Sequence, residues 1–182
     1  MKGMIFTALA DLVERDYGLA TWQKALDSCD CTNSGAYSAG GSYPDHEILC
    51  LVGFLCEELD LPKEFVLRRF GESLFESLKA SHPYFLTPHA DTKSFLLSIK
   101  DVIHKDVEKL HPGTSLPWLS YASEETPKHL TMLYQSKRKL CFLAEGLILG
   151  AANHFECEIA LIHSRCVYRG DENCQLDIQF YD

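Results

Sequence analysis

The hydrophobic period of this chain changes at His111-Pro112-Gly113. Before that break, apolar residues recur every three or four positions. After it, much of the sequence alternates in twos. Side chains three or four apart share a helix face, and side chains two apart share a strand face. A chain carrying both patterns has to bury helical stripes against a sheet, which predicts an α+β fold. At 182 residues it suits one domain, and 46% hydrophobic residues supply a substantial core.

The helical part reads in order. Met4 to Tyr17 carries Ile5, Ala8, Leu9 and Leu12 at helical spacing and ends at Gly18. Thr21 to Leu26 reads as a short second helix. Ser28 to Pro44 is rich in Ser, Gly, Asn and Cys and predicts a loop. The Cys29-x-Cys31 pair in it is read as two solvated thiols, with metal chelation the alternative. His46 to Asp60 predicts a buried helix, with Asp45 as N-cap and Cys50 and Cys56 as core residues. After Leu61-Pro62, a further helix runs to about Ala80 with Phe65, Val66, Phe70, Leu74 and Leu78 on one stripe. Ser81 to Ala90 reads as a short turn or helical piece. Asp91 to Leu110 is a capped helix with His104 beside its apolar stripe.

Beyond the break, Leu116–Ala122 and Lys128–Tyr134 predict a hairpin, with Ser123 to Pro127 as its loop. A long helix is expected over about Lys139 to Asn153. Glu156–His163 and Arg165–Arg169 are strand-like, and Cys174 to Phe180 alternates cleanly. The expectation is a helical N-terminal subdomain, residues 1–62, packed on a C-terminal subdomain, residues 63–182. The latter holds a four-stranded antiparallel sheet and helices.

Composition excludes several classes. Asp plus Glu outnumber Lys plus Arg, 26 to 17, and the net charge of −9 argues against a nucleic-acid surface. The apolar start is interrupted by Asp11, Glu14, Arg15 and Asp16, so no signal peptide is read. No apolar run reaches the roughly 18 residues of a membrane span. Eight cysteines in a chain this long lack the density of a secreted disulfide scaffold. The expectation is a cytoplasmic protein with free or metal-bound thiols.

Chemistry concentrates after the second strand, in Tyr134-Gln135-Ser136-Lys137-Arg138. In extended backbone Tyr134, Ser136 and Arg138 share a face, in a row of about 13 Å. Arg takes a carboxylate bidentately and hydroxyls donate to a second one. Such a row suits a ligand with two separated carboxylates. A solvated Arg after an ordinary strand end is the bland alternative.

This Y-x-S-x-R run resembles the signature of the haem–nitric oxide/oxygen binding (H-NOX) family, which is related to the sensor domain of soluble guanylate cyclase. Three further features agree with the resemblance: the Met1-Lys2-Gly3 start, His104 thirty residues before Tyr134, and Pro117. It covers the whole chain. It implies haem b, with His104 as the proximal iron ligand, Tyr134, Ser136 and Arg138 on the propionates, Pro117 against the porphyrin and Asp45 bracing Arg138. Oxygen-binding members carry a distal tyrosine nine residues after the first motif residue, where this chain has Leu143. The other distal positions implied are Ile5, Leu74, Leu78 and Leu147, together with Leu9. All are apolar, and an apolar stripe is by default simple core. If these residues line a pocket, they lack the donor that an O2 adduct needs. The resemblance thus implies a nitric oxide sensor, not an enzyme. A separate sensor histidine kinase, or a diguanylate cyclase or phosphodiesterase, is the partner it implies. A haem peroxidase is disfavoured because no polar distal group is evident.

Cys141, His163, Cys166 and Cys174 form a second constellation, C…H-x2-C-x7-C. Four such ligands suit a closed, structural zinc site. By spacing alone, reduced thiols lying near one another remain open as the alternative. Some bacterial members of the family carry a zinc site of this kind. Zinc-bound thiolates can be oxidised, so a zinc-thiolate redox sensor is the alternative function.

Overall fold

The computed structural model describes residues 1–110, 113–122 and 126–181. His111-Pro112, and Ser123-Glu124-Glu125 of the expected hairpin loop, lie outside the described residues. Seven α-helices and four strands are described. The helices are α1 Gly3–Tyr17, α2 Leu19–Ser28, α3 Asp45–Leu59, α4 Lys63–Ser81, α5 Thr92–Ser98, α6 His104–Leu110 and α7 Cys141–His154. The strands are β1 Trp118–Tyr121, β2 His129–Gln135, β3 Glu158–Arg165 and β4 Cys174–Tyr181. They form one antiparallel sheet in the order β1-β2-β4-β3. The expected α+β fold, with its four-stranded antiparallel sheet, is the fold observed.

Two apolar cores result. The helical core takes Phe6, Leu9, Leu12 and Val13 from α1, Ile48, Leu51, Val52 and Leu55 from α3, and Val66, Leu67, Phe70 and Leu74 from α4. Alternation in β2 and β4 turns Leu130, Met132 and Tyr134, and Cys174, Leu176, Ile178 and Phe180, into the second core. Phe75 of α4, Phe95 and Leu96 of α5, and Ile148 and Ala151 of α7 close over that sheet face. The opposite face is polar, with Asp177 accepting from Thr131 and Ser164.

Both α4 and α7 give residues to both cores. Their backbones touch: a Cβ on Gly71 would overlap the carbonyl oxygen of Leu143, and one on Gly146 would overlap that of Arg68. Only residues without a side chain allow this approach.

Several local expectations change. Arg165–Arg169 is not a strand. β3 ends in a bulge between His163 and Arg165, and Val167–Arg169 is a single 3-10 turn. Asp171 closes that turn by accepting from the Cys166 amide, which swings Cys166 inward to 3% exposure. Asp45 is not an N-cap: Pro44 holds that position, and the Asp45 carboxylate instead pairs with the amino terminus and Arg138. Cys29 and Cys50 are not free thiols but a disulfide. It joins the end of α2 to α3 across a Cα–Cα distance of 6.0 Å, within the range a disulfide spans. Two helices packed side by side bring together positions 21 residues apart, a proximity that loop composition does not encode. Cys31 and Cys56 are free.

The glycine contact makes a stability prediction. Gly146→Ala should destabilise the fold by about 1–3 kcal/mol through forced separation of α4 and α7. A lowered urea midpoint is the expected measurement, and an unchanged midpoint would mean that the helices part without penalty.

Candidate functional site

His104 opens α6, directly after a π-turn over Ile99–Ile103 in which its amide donates to the Ile99 carbonyl. The N-terminal end of this helical run is capped as expected, since the Asp91 side chain accepts from the Ser94 amide. A π-turn adds a residue to the helix and rotates the helical turns beyond it, and such turns recur at functional positions. Nothing in the sequence pattern marks it. Burial lowers the His104 pKa, only partly opposed by Glu108, so the neutral imidazole with a free lone pair is favoured.

The Tyr134–Arg138 corner differs from an extended row. β2 ends at Gln135, and residues 136–139 turn. Lys139 donates to the Ser136 carbonyl, and its φ of 53° completes the turn. The Ser136 hydroxyl accepts from the Arg138 amide, a Ser turn that sets the guanidinium direction. Tyr134, Ser136 and Arg138 remain the covered residues while Gln135, Lys137 and Lys139 face solvent. Burial lifts the Tyr134 phenol to about 12, against the lowering effect of its bond with Ser136, so it stays a neutral donor.

Arg138 is firmly held. Its Nε donates to Asp45 at 2.6 Å and its Nη1 to the Ser115 carbonyl at 2.6 Å. Nη2 has no partner among the described residues. Asp45 also pairs with the Met1 ammonium at 2.9 Å. Ser115 lies two residues before Pro117, so the same guanidinium pins the segment that leads into β1.

The apolar candidates divide between the two cores, and Leu147 packs on both, at the seam between them. Ile5, Leu78 and Leu147 pack on the helical core, and Ile99, Ile103 and Leu147 on the sheet core, all half-buried, as is Pro117. Leu74 and Leu143 are buried behind them, at 2% and 8% exposure. No residue of α6 is fully buried. Half-covered apolar side chains, a lone-pair imidazole and spare guanidinium N–H groups are the groups that suit a flat hydrophobic ligand carrying an anionic edge. A separate cleft of about 200 Å³ between α1, α4 and α7 shares no residue with this set.

The second constellation does converge. One ligand atom from each of Cys141, His163, Cys166 and Cys174 lies within 4.8 Å of the others. Cys141 Sγ and Cys166 Sγ are 3.9 Å apart. A tetrahedron with metal–sulfur bonds of about 2.3 Å has edges of about 3.8 Å. Burial, then the neighbouring thiols, push the Cys141 thiol far up, and burial raises Cys174. Without a cation these sulfurs stay protonated, and a divalent ion reverses that balance. Sequence reading missed two residues here. Glu145 Oε1 lies 2.5 Å from His163 Nδ1, and its Oε2 accepts from Arg68 Nε and Nη2 at 2.8 and 2.6 Å. A lone acid inside the apolar run Leu140–Ala152 was the available signal for Glu145; Arg68 had none.

Known proteins share this arrangement of elements. A family model described as haem-NO-binding matches residues 2–163. An H-NOX protein from S. oneidensis, solved in its Fe(II)NO state, is 33% identical with a TM-score of 0.93, and the match covers 100% of both chains. The Fe(II) unliganded H-NOX protein from K. algicida is 30% identical at TM-score 0.89, covering 100% of this chain and 97% of that one. An oxygen-binding H-NOX domain related to soluble guanylate cyclases, 20% identical at TM-score 0.82 and covering 100% and 96%, shares the fold.

The Asp45 carboxylate gives a pH prediction. Burial raises its pKa, but the bonds from Arg138 and the amino terminus outweigh that and hold it below 3.8. Its folded value is therefore below its unfolded one. The stabilisation is complete above about pH 4 and is lost as pH falls through the folded value. Asp45→Asn should lower stability at neutral pH and flatten the acid side of a denaturant-midpoint profile measured from pH 7 to 3.

Proposed function

Because the chain belongs to the haem-NO-binding family, we propose that it is a haem-based gas sensor that takes nitric oxide and signals to a separate protein. Haem b supplies the iron that binds the gas, and the chain's own residues do the rest. His104 would hold the iron through its neutral imidazole. Tyr134, Ser136 and Arg138 would hold the propionates, the arginine through the N–H groups not given to Asp45 and Ser115. Pro117, Ile5, Leu74, Leu78, Leu143 and Leu147 form the apolar wall. What carries this reading is one coincidence: an imidazole kept neutral by burial and an anion-ready corner on Arg138, in a chain with this family's fold.

Selectivity depends on position 143. A polarised O2 ligand is held by a hydrogen-bond donor, and the side chains of Leu143, Leu74, Leu78, Leu147 and Ile5 offer none. NO does not depend on one. The link between gas and fold would be the helical run from α5 to α6, which His104 would tie to the haem and whose packing would change on its release. Moving such an equilibrium across most of its range needs roughly 5 kcal/mol of differential affinity. The output is a population shift read by a partner, a sensor histidine kinase or a cyclic-di-GMP enzyme.

We read residues 1–62 and 63–182 as the moving halves, the cytoplasm as the compartment, and the chain as a binding module with no catalysis of its own. No helix among the described residues is long and apolar enough to cross a membrane. The Cys29–Cys50 disulfide pulls against a reducing compartment. Zinc at Cys141, His163, Cys166 and Cys174 completes the proposal as a structural ion. The buried clustering of those four residues also favours a second reading, a zinc-thiolate redox sensor.

Absorption spectra of the purified, reduced protein test the first reading. NO and CO should each shift the haem band, and air-level O2 should leave no stable adduct. A stable O2 complex in the unmodified protein would overturn the selectivity argument. If the unmodified protein forms none, Leu143→Tyr should gain oxygen binding. Haem retained after gel filtration should fall in the order wild type, Arg138→Lys, Arg138→Ala, because Lys keeps the charge but has no planar fork to hold Asp45 and the Ser115 carbonyl while reaching a propionate. Equal occupancy in all three would remove Arg138 from the site.

A further inference from the structure

We propose that Glu145 and Arg68 are the positioning residues of the Cys3His centre, with Glu145 deciding which nitrogen of His163 faces the three sulfurs. This inference rests on the zinc reading above.

Glu145 stands one helical turn after Cys141 on α7 and is only 3% exposed. A carboxylate taken out of water is destabilising unless its lone pairs are used. Here both oxygens are engaged, Oε2 by the Arg68 fork and Oε1 by His163 Nδ1. Arg68 can only donate, and it gives two N–H groups to Oε2, so the group it grips acts as a carboxylate acceptor. Nδ1 therefore carries the hydrogen. In neutral imidazole that leaves the lone pair on Nε2. The second observation is independent: His163 Nε2 is buried and has no hydrogen-bond partner among the described residues. With Nδ1 occupied, Nε2 is the nitrogen left to join the three Sγ atoms. An anion buried in an apolar helix and an orphaned nitrogen beside three thiols have one common explanation. The ring is set, in the correct tautomer, for a metal ion that favours sulfur and imidazole.

Arg68 completes the arrangement from another element. Three thiolates and a divalent ion leave one net negative charge, and Glu145 adds a second. The guanidinium neutralises one of them from α4, by a two-N–H grip that Lys does not reproduce. Outer partners of this kind typically change metal affinity 10- to 100-fold.

The test uses the full chain under reducing conditions, with zinc itself as the probe. Affinity is measured by competition with a chromophoric chelator, and the His163 tautomer by 15N NMR of the metal-free protein. Wild type should bind one equivalent and show the hydrogen on Nδ1. Glu145→Gln should weaken zinc binding about 10- to 100-fold while the fold is kept, and Glu145→Ala should weaken it further and move the hydrogen toward Nε2. Arg68→Ala should also weaken binding, with Arg68→Lys recovering part of it. A merely structural role would lower the melting temperature and leave both tautomer and folded-state affinity unchanged. If Glu145→Ala does not fold, Glu145→Gln carries the test. Wild type holding zinc while Glu145→Gln matches its affinity and tautomer overturns the positioning role and leaves the zinc reading standing. Wild type that takes up no zinc overturns the zinc reading, and the positioning role with it.

Discussion

Everything in this fold depends on the close approach of α4 and α7. Gly71 and Gly146 let the two backbones touch, and the contact is where the helical core and the sheet core are joined. Arg68 and Glu145 flank it, so the same crossing that joins the cores also sets the outer support of the cysteine cluster. Leu143 and Leu147 leave α7 on either side of Gly146 and meet the seam. Backbones in contact can rotate about the touching point, but they slide past one another only by lifting apart. The crossing therefore favours rotation of α4 against α7 over sliding.

Much of the architecture was legible in the sequence because burial imposes period. The change from 3.6 to 2 near residue 112 marked the order of helices and strands, and the alternation from Cys174 to Phe180 is the observed inward face of β4. The i, i+2, i+4 spacing of Y-x-S-x-R marked the three covered positions of the corner. The expected extended shape was wrong, since Ser136 bends the chain by accepting from the Arg138 amide. A local hydroxyl–amide bond competes with extended backbone, and alternation carries no record of it.

What the sequence withheld is pairwise. Glu145 and Arg68 are 77 positions apart, and Cys29 and Cys50 meet because α2 lies beside α3. The π-turn before His104 is a one-residue irregularity inside a helical pattern that tolerates it. The turn at Val167–Arg169 looked like a strand because Val, Tyr and a preceding Cys are strand-compatible. Asp171, one residue past Gly170, decides otherwise by capturing the Cys166 amide.

The grip on Arg138 has a further consequence. With Nε on Asp45 and Nη1 on the Ser115 carbonyl, a long side chain that normally keeps about 2 kcal/mol of rotamer entropy has already surrendered most of it. A carboxylate at its remaining N–H groups would meet a finished receptor rather than a tether to be recruited. The ordering is charged to folding, and the ligand's free energy is left for holding on. Retention is then governed by how slowly the occupant leaves.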